Sequence, residues 1–197
     1  MSAAFLDILL LIGIFSLIAL GLDFIVGYSK IFSVNQGLIF AIGAFSYVFT
    51  SQMLGIREVW LAWLIGAGIS CLVSAIIGFA SLRVRGDAFV VVSFGAQIIG
   101  MQVLYNATPL SGGQSGIFGL PGLTIFGWSP TSQLDYLLLI AAVAVVAYAV
   151  TALLVRSPWG RLLRATGQDE VAVAAAGSDP RRLKVVAFML GGAYAAI

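Results

Sequence analysis

Residues 5–26 form one long apolar stretch whose only charges, Asp7 and Asp23, stand near its two ends. A bilayer core takes about twenty such residues to cross as an α-helix. Comparable stretches recur at 37–54, 59–82, 88–105 and 135–155. A soluble domain of 197 residues has too little interior to hide them all. Composition points the same way, with 61% hydrophobic and only 9% charged residues, far from the usage of soluble domains. Lipid satisfies no backbone hydrogen bonds, so stretches of this length must be helical. The expected fold is an all-α, polytopic integral membrane helix bundle with about five complete spans. A sixth apolar run begins near Val185 and has thirteen residues before Ile197. It is expected to be a truncated span, and residues 1–197 a single transmembrane domain from the N-terminal part of a longer chain. Met1-Ser2-Ala3-Ala4 carries no basic stretch, so the first span is not read as a secretory signal.

Segment 156–184 is the one long polar interruption and holds six of the ten Lys and Arg residues. Its punctuation predicts two short helices. Ser157-Pro158 opens the first and Gly167 ends it; Asp169-Glu170 opens the second, which Gly177 and Pro180 close. Two readings fit: a connector made basic by the positive-inside bias, or a small helix that docks into a groove on a soluble partner. With this segment in the cytoplasm, Lys30 and the Arg83/Arg85 turn fall on the same side, giving nine basic residues inside against Arg57 outside. Segment 106–134 then lies outside. It has no charge, six glycines and three prolines, so it cannot be a regular helix. Its apolar residues Ile117, Phe118, Leu120, Ile125, Phe126 and Trp128 predict an ordered cap over one mouth of the bundle.

Few polar side chains fall within membrane depth. Ser33, Asn35 and Gln36 follow the first span beside a helix break, and irregular backbone there must be buried in protein or line a water-filled cavity. A simple turn between two helices is the alternative. Gln97 is the most polar side chain of the fourth span, and it fits either an interhelical clasp or a polar lining. Gly66, Ser70, Ser74 and Gly78 recur every four residues and predict a stripe for close helix approach. Chemistry is narrowly bounded. There is no histidine, and the single Cys71 can form no intrachain disulfide, so metal and redox sites are not expected. Neither Lys30 nor Lys184 follows a P-loop glycine pattern, and no nucleophile and base pair is visible. The chain reads as a conduit rather than an enzyme, with no cofactor and no nucleic-acid partner expected.

Four motifs appear in order: Gly27-Tyr28 through Ile42-Gly43-Ala44-Phe45, Leu82 through Phe89, Ser111-Gly112-Gly113 through Gly122, and Ser157 through Gly177. Together they resemble the M-type permease subunit of bacterial branched-chain amino acid ABC importers, over about residues 21–197. The resemblance implies that Gly160, Arg161, Arg164, Ala165, Asp169, Glu170, Ala174 and Gly177 belong to a cytoplasmic loop contacting the ATPase. It also implies a bacterial inner-membrane location, a second permease subunit, two cytoplasmic ATPase subunits and a periplasmic solute-binding protein. The chain departs from the family pattern at Lys30 and Asn35, where glycine is usual, and at Gly167, where arginine is usual. Urea and short-amide importers are similar to the same family. A passive channel or facilitator for a small neutral solute is the alternative.

The charge asymmetry generates a topology prediction. In a Cys71→Ser background, Ser115→Cys should react with an impermeant thiol reagent from the periplasmic side and Ser178→Cys should not. The reverse labelling pattern would invert the assignment.

Overall fold

The computed structural model describes residues 3–81, 83–84, 87–113 and 116–197. Leu82, Arg85 and Gly86 of the basic turn, and Gln114 and Ser115 of the glycine-rich segment, lie outside the described residues. Helix α1 (Ala3–Leu22) runs straight into a π-helical turn, Asp23–Tyr28. Helix α2 (Gln36–Val48) likewise widens into a π-helical turn, Phe49–Met53. Helices α3 (Val59–Ser81) and α4 (Asp87–Asn106) follow, then the single turn α5 (Thr108–Ser111). After the glycine-rich segment come α6 (Gln133–Arg156), α7 (Pro158–Gln168), α8 (Glu170–Ala175) and α9 (Pro180–Ala195).

Among the described residues four stretches are long and apolar enough to cross a membrane: Ala4–Tyr28, Val59–Ala80, Ala88–Asn106 and Gln133–Arg156. Five complete spans were expected. The difference lies in α2, which with its π-helical turn covers residues 36–53, carries Gln36, Ser46, Thr50, Ser51 and Gln52 among its apolar residues, and has Gln36, Leu38, Ile39, Ile42, Ser46, Val48, Thr50 and Ser51 buried. The last helix also starts earlier than its apolar run. Asp179 accepts the Arg181 amide at 2.9 Å and Pro180 fills the first helical position, so Pro180 opens α9 as well as ending the loop before it.

The outer faces are apolar throughout: Phe15, Leu72, Ile76, Val91, Ile99, Val145 and Leu153 are each more than 60% exposed. Such surfaces suit acyl chains and not water. Inside, α9 is the central element, packed on α3, α1 and α2, with Ala187 and Phe188 fully buried. Phe188 meets Phe89 edge to face at 5.9 Å, bringing in α4, and Tyr194 meets Phe24 at 5.5 Å, bringing in α1. The small-residue stripe of α3 does what its spacing implied. A Cβ on Gly66 would lie 2.6 Å from Ser46 Oγ on α2, and one on Gly78 would lie 3.2 Å from Phe188 Cβ on α9. A close backbone crossing joins α1 to α9, where a Cβ on Gly191 would stand 2.6 Å from the Gly21 carbonyl and one on Gly21 2.5 Å from the Gly191 carbonyl.

The glycine-rich segment is ordered by the turn between α2 and α3. Val59 N donates to Thr124 O and Thr124 N to Arg57 O, each at 2.9 Å, while the Glu58 carboxylate accepts Thr124 Oγ1 at 3.1 Å and Phe126 N at 2.9 Å. Tyr47 on α2 donates to Pro121 O at 2.9 Å. The expected burial of its aromatic residues does not occur, since Phe118 and Phe126 are each 85% exposed and Leu120 and Trp128 are also exposed. Phe126 stands at the tip of a reverse turn closed by Ile125 and Trp128, with φ of 49° followed by Gly127 at 81°. There it can only lie flat on Trp60, centroids 6.2 Å apart. Leu123 instead turns inward, over an apolar cavity of about 260 Å³ among Ile18, Phe40, Trp63 and Ile140.

The close α1–α9 crossing makes a stability prediction. Gly191→Val should lower folded-state stability by about 1–3 kcal/mol, the usual cost of forcing volume into a packed interior. Gly68→Val should have little effect, because nothing lies within 4 Å of a Cβ there. Thermal unfolding of both variants in the same detergent measures the difference.

Candidate functional site

Two groups of residues carry polar chemistry, one inside the bundle and one at its basic end. The first is built where α1 gives way to the non-helical stretch 29–35. Ser29 is buried and donates to Phe24 O at 3.0 Å, and Ile31 N donates to Ile25 O at 3.2 Å, so the chain leaves the π-helical turn without losing its bonds. Ser33 Oγ donates to Asn35 Oδ1, and the Val34 amide donates to Ser93 Oγ of α4 at 3.1 Å. Gln36 Nε2 reaches Ile18 O at 3.5 Å and Gly191 O at 3.4 Å, touching α1 and α9 together. Gln97, one helical turn beyond Ser93, lies beside Gly37, where a Cβ would be 3.4 Å from both its Nε2 and its Oε1.

Of the four residues singled out in the sequence, Ser33 is bonded to Asn35, Gln36 turns to α1 and α9, and Gln97 lies beside Gly37 at the start of α2. Three of their polar atoms, Asn35 Nδ2, Gln36 Oε1 and Gln97 Oε1, are buried without a hydrogen-bond partner. Leaving such a group unsatisfied costs about 1–3 kcal/mol. Ser93 was missed. Its spacing from Gln97 puts both on one helix face, but a lone serine on an apolar helix usually bonds its own backbone, as Ser93 also does to Val90 O at 2.9 Å.

The second group is the basic loop. Ser157 Oγ accepts the Gly160 amide at 3.3 Å, and Asp169 Oδ1 accepts Val171 N at 2.8 Å and Ala172 N at 3.1 Å, so both anticipated caps are present. Gly160 is buried where α7 turns off α6, and a Cβ would stand 2.6 Å from Leu154 O. Arg161 is exposed and donates to Arg156 O at 3.2 Å, while Arg164 lies over the Tyr28 ring at 5.1 Å. Ala165 is half-buried against the cluster of Leu163, Val173, Leu183 and Ala187, which seats the loop on α9.

Gly167 was expected to break the first helix and does not. Helix α7 continues through it to Gln168, and its missing side chain instead admits Tyr28 O, which would lie 2.6 Å from a Cβ. Glu170 pairs with Lys184, whose side chain is only 12% exposed. That bond ties α8 to α9 and was not anticipated from the sequence, where fourteen residues separate the two. Gly177 has φ of 81°, and the Ser178 amide returns to Val173 O at 3.2 Å, closing α8 in the left-handed manner. The exposed residues of α8 are Glu170, Val171 at 78%, Ala172, Ala174 and Ala175.

Lys30, Val84 and Phe89 border the same cleft as Thr166, Glu170 and Lys184, and Arg83 borders another with Arg181 and Arg182. The basic residues thus gather at one end of the bundle, while Arg57, Glu58 and Thr124 meet in a different set of contacts. Among the described residues no group of His, Cys, Asp or Glu could hold a metal ion.

The family model described as "Branched-chain amino acid transport system / permease component" matches residues 4–197. The high-affinity branched-chain amino acid transport system permease protein LivM of Escherichia coli (strain K12) is 30% identical over 212 residues, covering 96% of this chain and 50% of that protein. LivM of Salmonella typhimurium (strain LT2) is 29% identical over the same proportions. The chain therefore spans about half the length of the curated relatives it matches. No solved structure matches it. A bundle of apolar helices around a polar break, matched by one family model from residue 4 to its last residue, places the chain in the branched-chain amino acid transport system permease component family.

Proposed function

We propose that this chain forms part of the translocation pathway of an ABC importer for branched-chain amino acids or a similar small polar solute. The observation that carries this reading is the set of unpartnered buried atoms on Asn35, Gln36 and Gln97, held inside a membrane-spanning bundle of this family. A conduit for a polar solute must offer hydrogen bonds at membrane depth that are not already spent on the protein. Ser33, Asn35, Gln36 and Gln97 supply both donors and acceptors there.

Energy for transport comes from outside the chain. Its matched relatives are named permease proteins, and hydrolysis belongs to two cytoplasmic ATPase subunits working with a second permease subunit and a periplasmic solute-binding protein. The site is the bacterial inner membrane, with the basic end in the cytoplasm. Loop 156–184 is the docking element, and α8 is its contact surface. A solvated connector favours Lys, Glu or Gln on its open face, whereas beyond Glu170, which is paired with Lys184, α8 presents valine and alanine. Small side chains suit a helix pressed into a groove.

Two experiments test the two halves of this reading in the full-length complex. Docking predicts that Ala174→Trp or Gly177→Val leaves insertion and pairing with the second permease intact but removes the ATPase on co-purification. A side chain in the left-handed conformation at 177 costs about 1–2 kcal/mol and misdirects the return to α9. If both variants keep the ATPase and transport normally, loop 156–184 is only a connector, and a passive facilitator becomes the better account. The pathway predicts that Asn35→Ala and Gln97→Leu lower uptake in proteoliposomes while assembly and ATPase binding persist. Unchanged uptake in both would return these residues to packing.

A further inference from the structure

Helix α7 and the polar stretch 29–35 are distant in sequence, yet one contact joins them almost without side chains. A Cβ on Gly167 would stand 2.6 Å from Tyr28 O and 3.0 Å from Lys30 Cγ. The last turn of α7 therefore lies directly on the peptide where the π-helical turn ends. Arg164, one turn earlier, covers the Tyr28 ring at 5.1 Å, and Trp159 faces Phe24 at 6.3 Å. Helix α7 thus holds the end of α1 along most of its own length.

The other side of the contact is equally constrained. Lys30 has φ of 55°, in the left-handed region where a side chain is disfavoured. It is held there with Ser29 bonded to Phe24 O and Ile31 N to Ile25 O. Only four residues later the chain reaches Val34, bonded to Ser93, and then Asn35 and Gln36 with their unpartnered atoms. So short a connection has little slack. A backbone contact cannot absorb displacement by changing a rotamer, so a shift of α7 must carry residues 28–30 with it. The π-helical turn Asp23–Tyr28 gives that movement a place to occur, since a single wide turn can change register at small cost.

We propose that Gly167 and Lys30 are positioning residues forming the joint that passes motion of α7 to the polar segment 29–36. The inference rests on the docking and pathway readings above and adds the physical connection between them. It assigns a reason to two unusual choices at once, a strained lysine and a glycine inside a helix, which meet face to face.

The test uses the full-length protein in its complete complex, reconstituted in liposomes, with solute taken up per ATP hydrolysed as the readout. Gly167→Ala and Gly167→Val should still co-purify with the ATPase and support hydrolysis. Their uptake per ATP should fall by about tenfold, within the coupling energies that single contacts carry. Lys30→Gly added to Gly167→Ala should recover much of the ratio, because it removes the Cγ contact and frees the left-handed residue to move. An unchanged ratio in both Gly167 variants overturns the proposal. Loss of the ATPase from those variants also overturns it, since Gly167 would then belong to the docking surface. Failure of the docking reading is read separately, from retention of the ATPase by Ala174→Trp and Gly177→Val.

Discussion

The crossing of α9 with α1 and α3 is the constraint on which both polar regions depend. In a bilayer the surrounding lipid is as apolar as leucine, so helices associate through close packing and hydrogen bonds rather than through escape from water. Gly21 and Gly191 each face the other's carbonyl, and Gly192 sits against Ser70 and Ser74 of α3. No side chain larger than hydrogen fits at Gly21 or Gly191 without a shift. Because the backbones are this close, Gln36 can reach Gly191 O with its amide. The same helix begins at Pro180 beneath α8, where Leu183 and Ala187 receive Leu163 and Val173. One packed helix therefore sets the position of the polar break above it and of the loop below it.

Three of the buried polar atoms without a partner lie on amides of the polar break and α4, and two more, Ser70 Oγ and Ser74 Oγ, lie on the small-residue stripe of α3. Thr50, Thr151 and Thr166 bond to the carbonyl of their own preceding turn and are neutral passengers. Asn35, Gln36 and Gln97 are different, since each keeps a buried amide atom unused. In a protein whose lipid-facing surface is apolar, amides at this depth serve packing only if they bond one another. Here they are divided between α4 and the start of α2, with Gly37 as the gap between them.

The basic end shows how strain is held in place by its surroundings. Lys30 in the left-handed region costs about 1–2 kcal/mol relative to an ordinary conformation. It persists because the residues on both sides are bonded back into α1 and because α7 presses on it through Gly167. Lys30 and Gly167 are thus spatially one feature. An arginine at 167 would need the volume that Tyr28 O and the Lys30 stem occupy.

The sequence by itself determined the class of fold. Apolar runs near twenty residues in length admit only helices in lipid, and the four-residue spacing of Gly66, Ser70, Ser74 and Gly78 places them on one face whatever the tertiary arrangement. Caps were legible for the same reason, since Ser157 and Asp169 act on amides two or three residues away. What required the tertiary structure was every contact between residues far apart in the chain. Glu170 with Lys184, Val34 with Ser93, and Gln36 with Gly191 leave no periodic trace, because each is fixed by how helices cross. Gly167 was misread for the same reason. Within its own segment a glycine looks like a helix end, and only the arrival of Tyr28 against it shows a glycine chosen for closeness. The second apolar run has the length its sequence implied, yet eight of its eighteen residues are buried in protein, because hydropathy records how oily a segment is and not whether lipid or protein surrounds it.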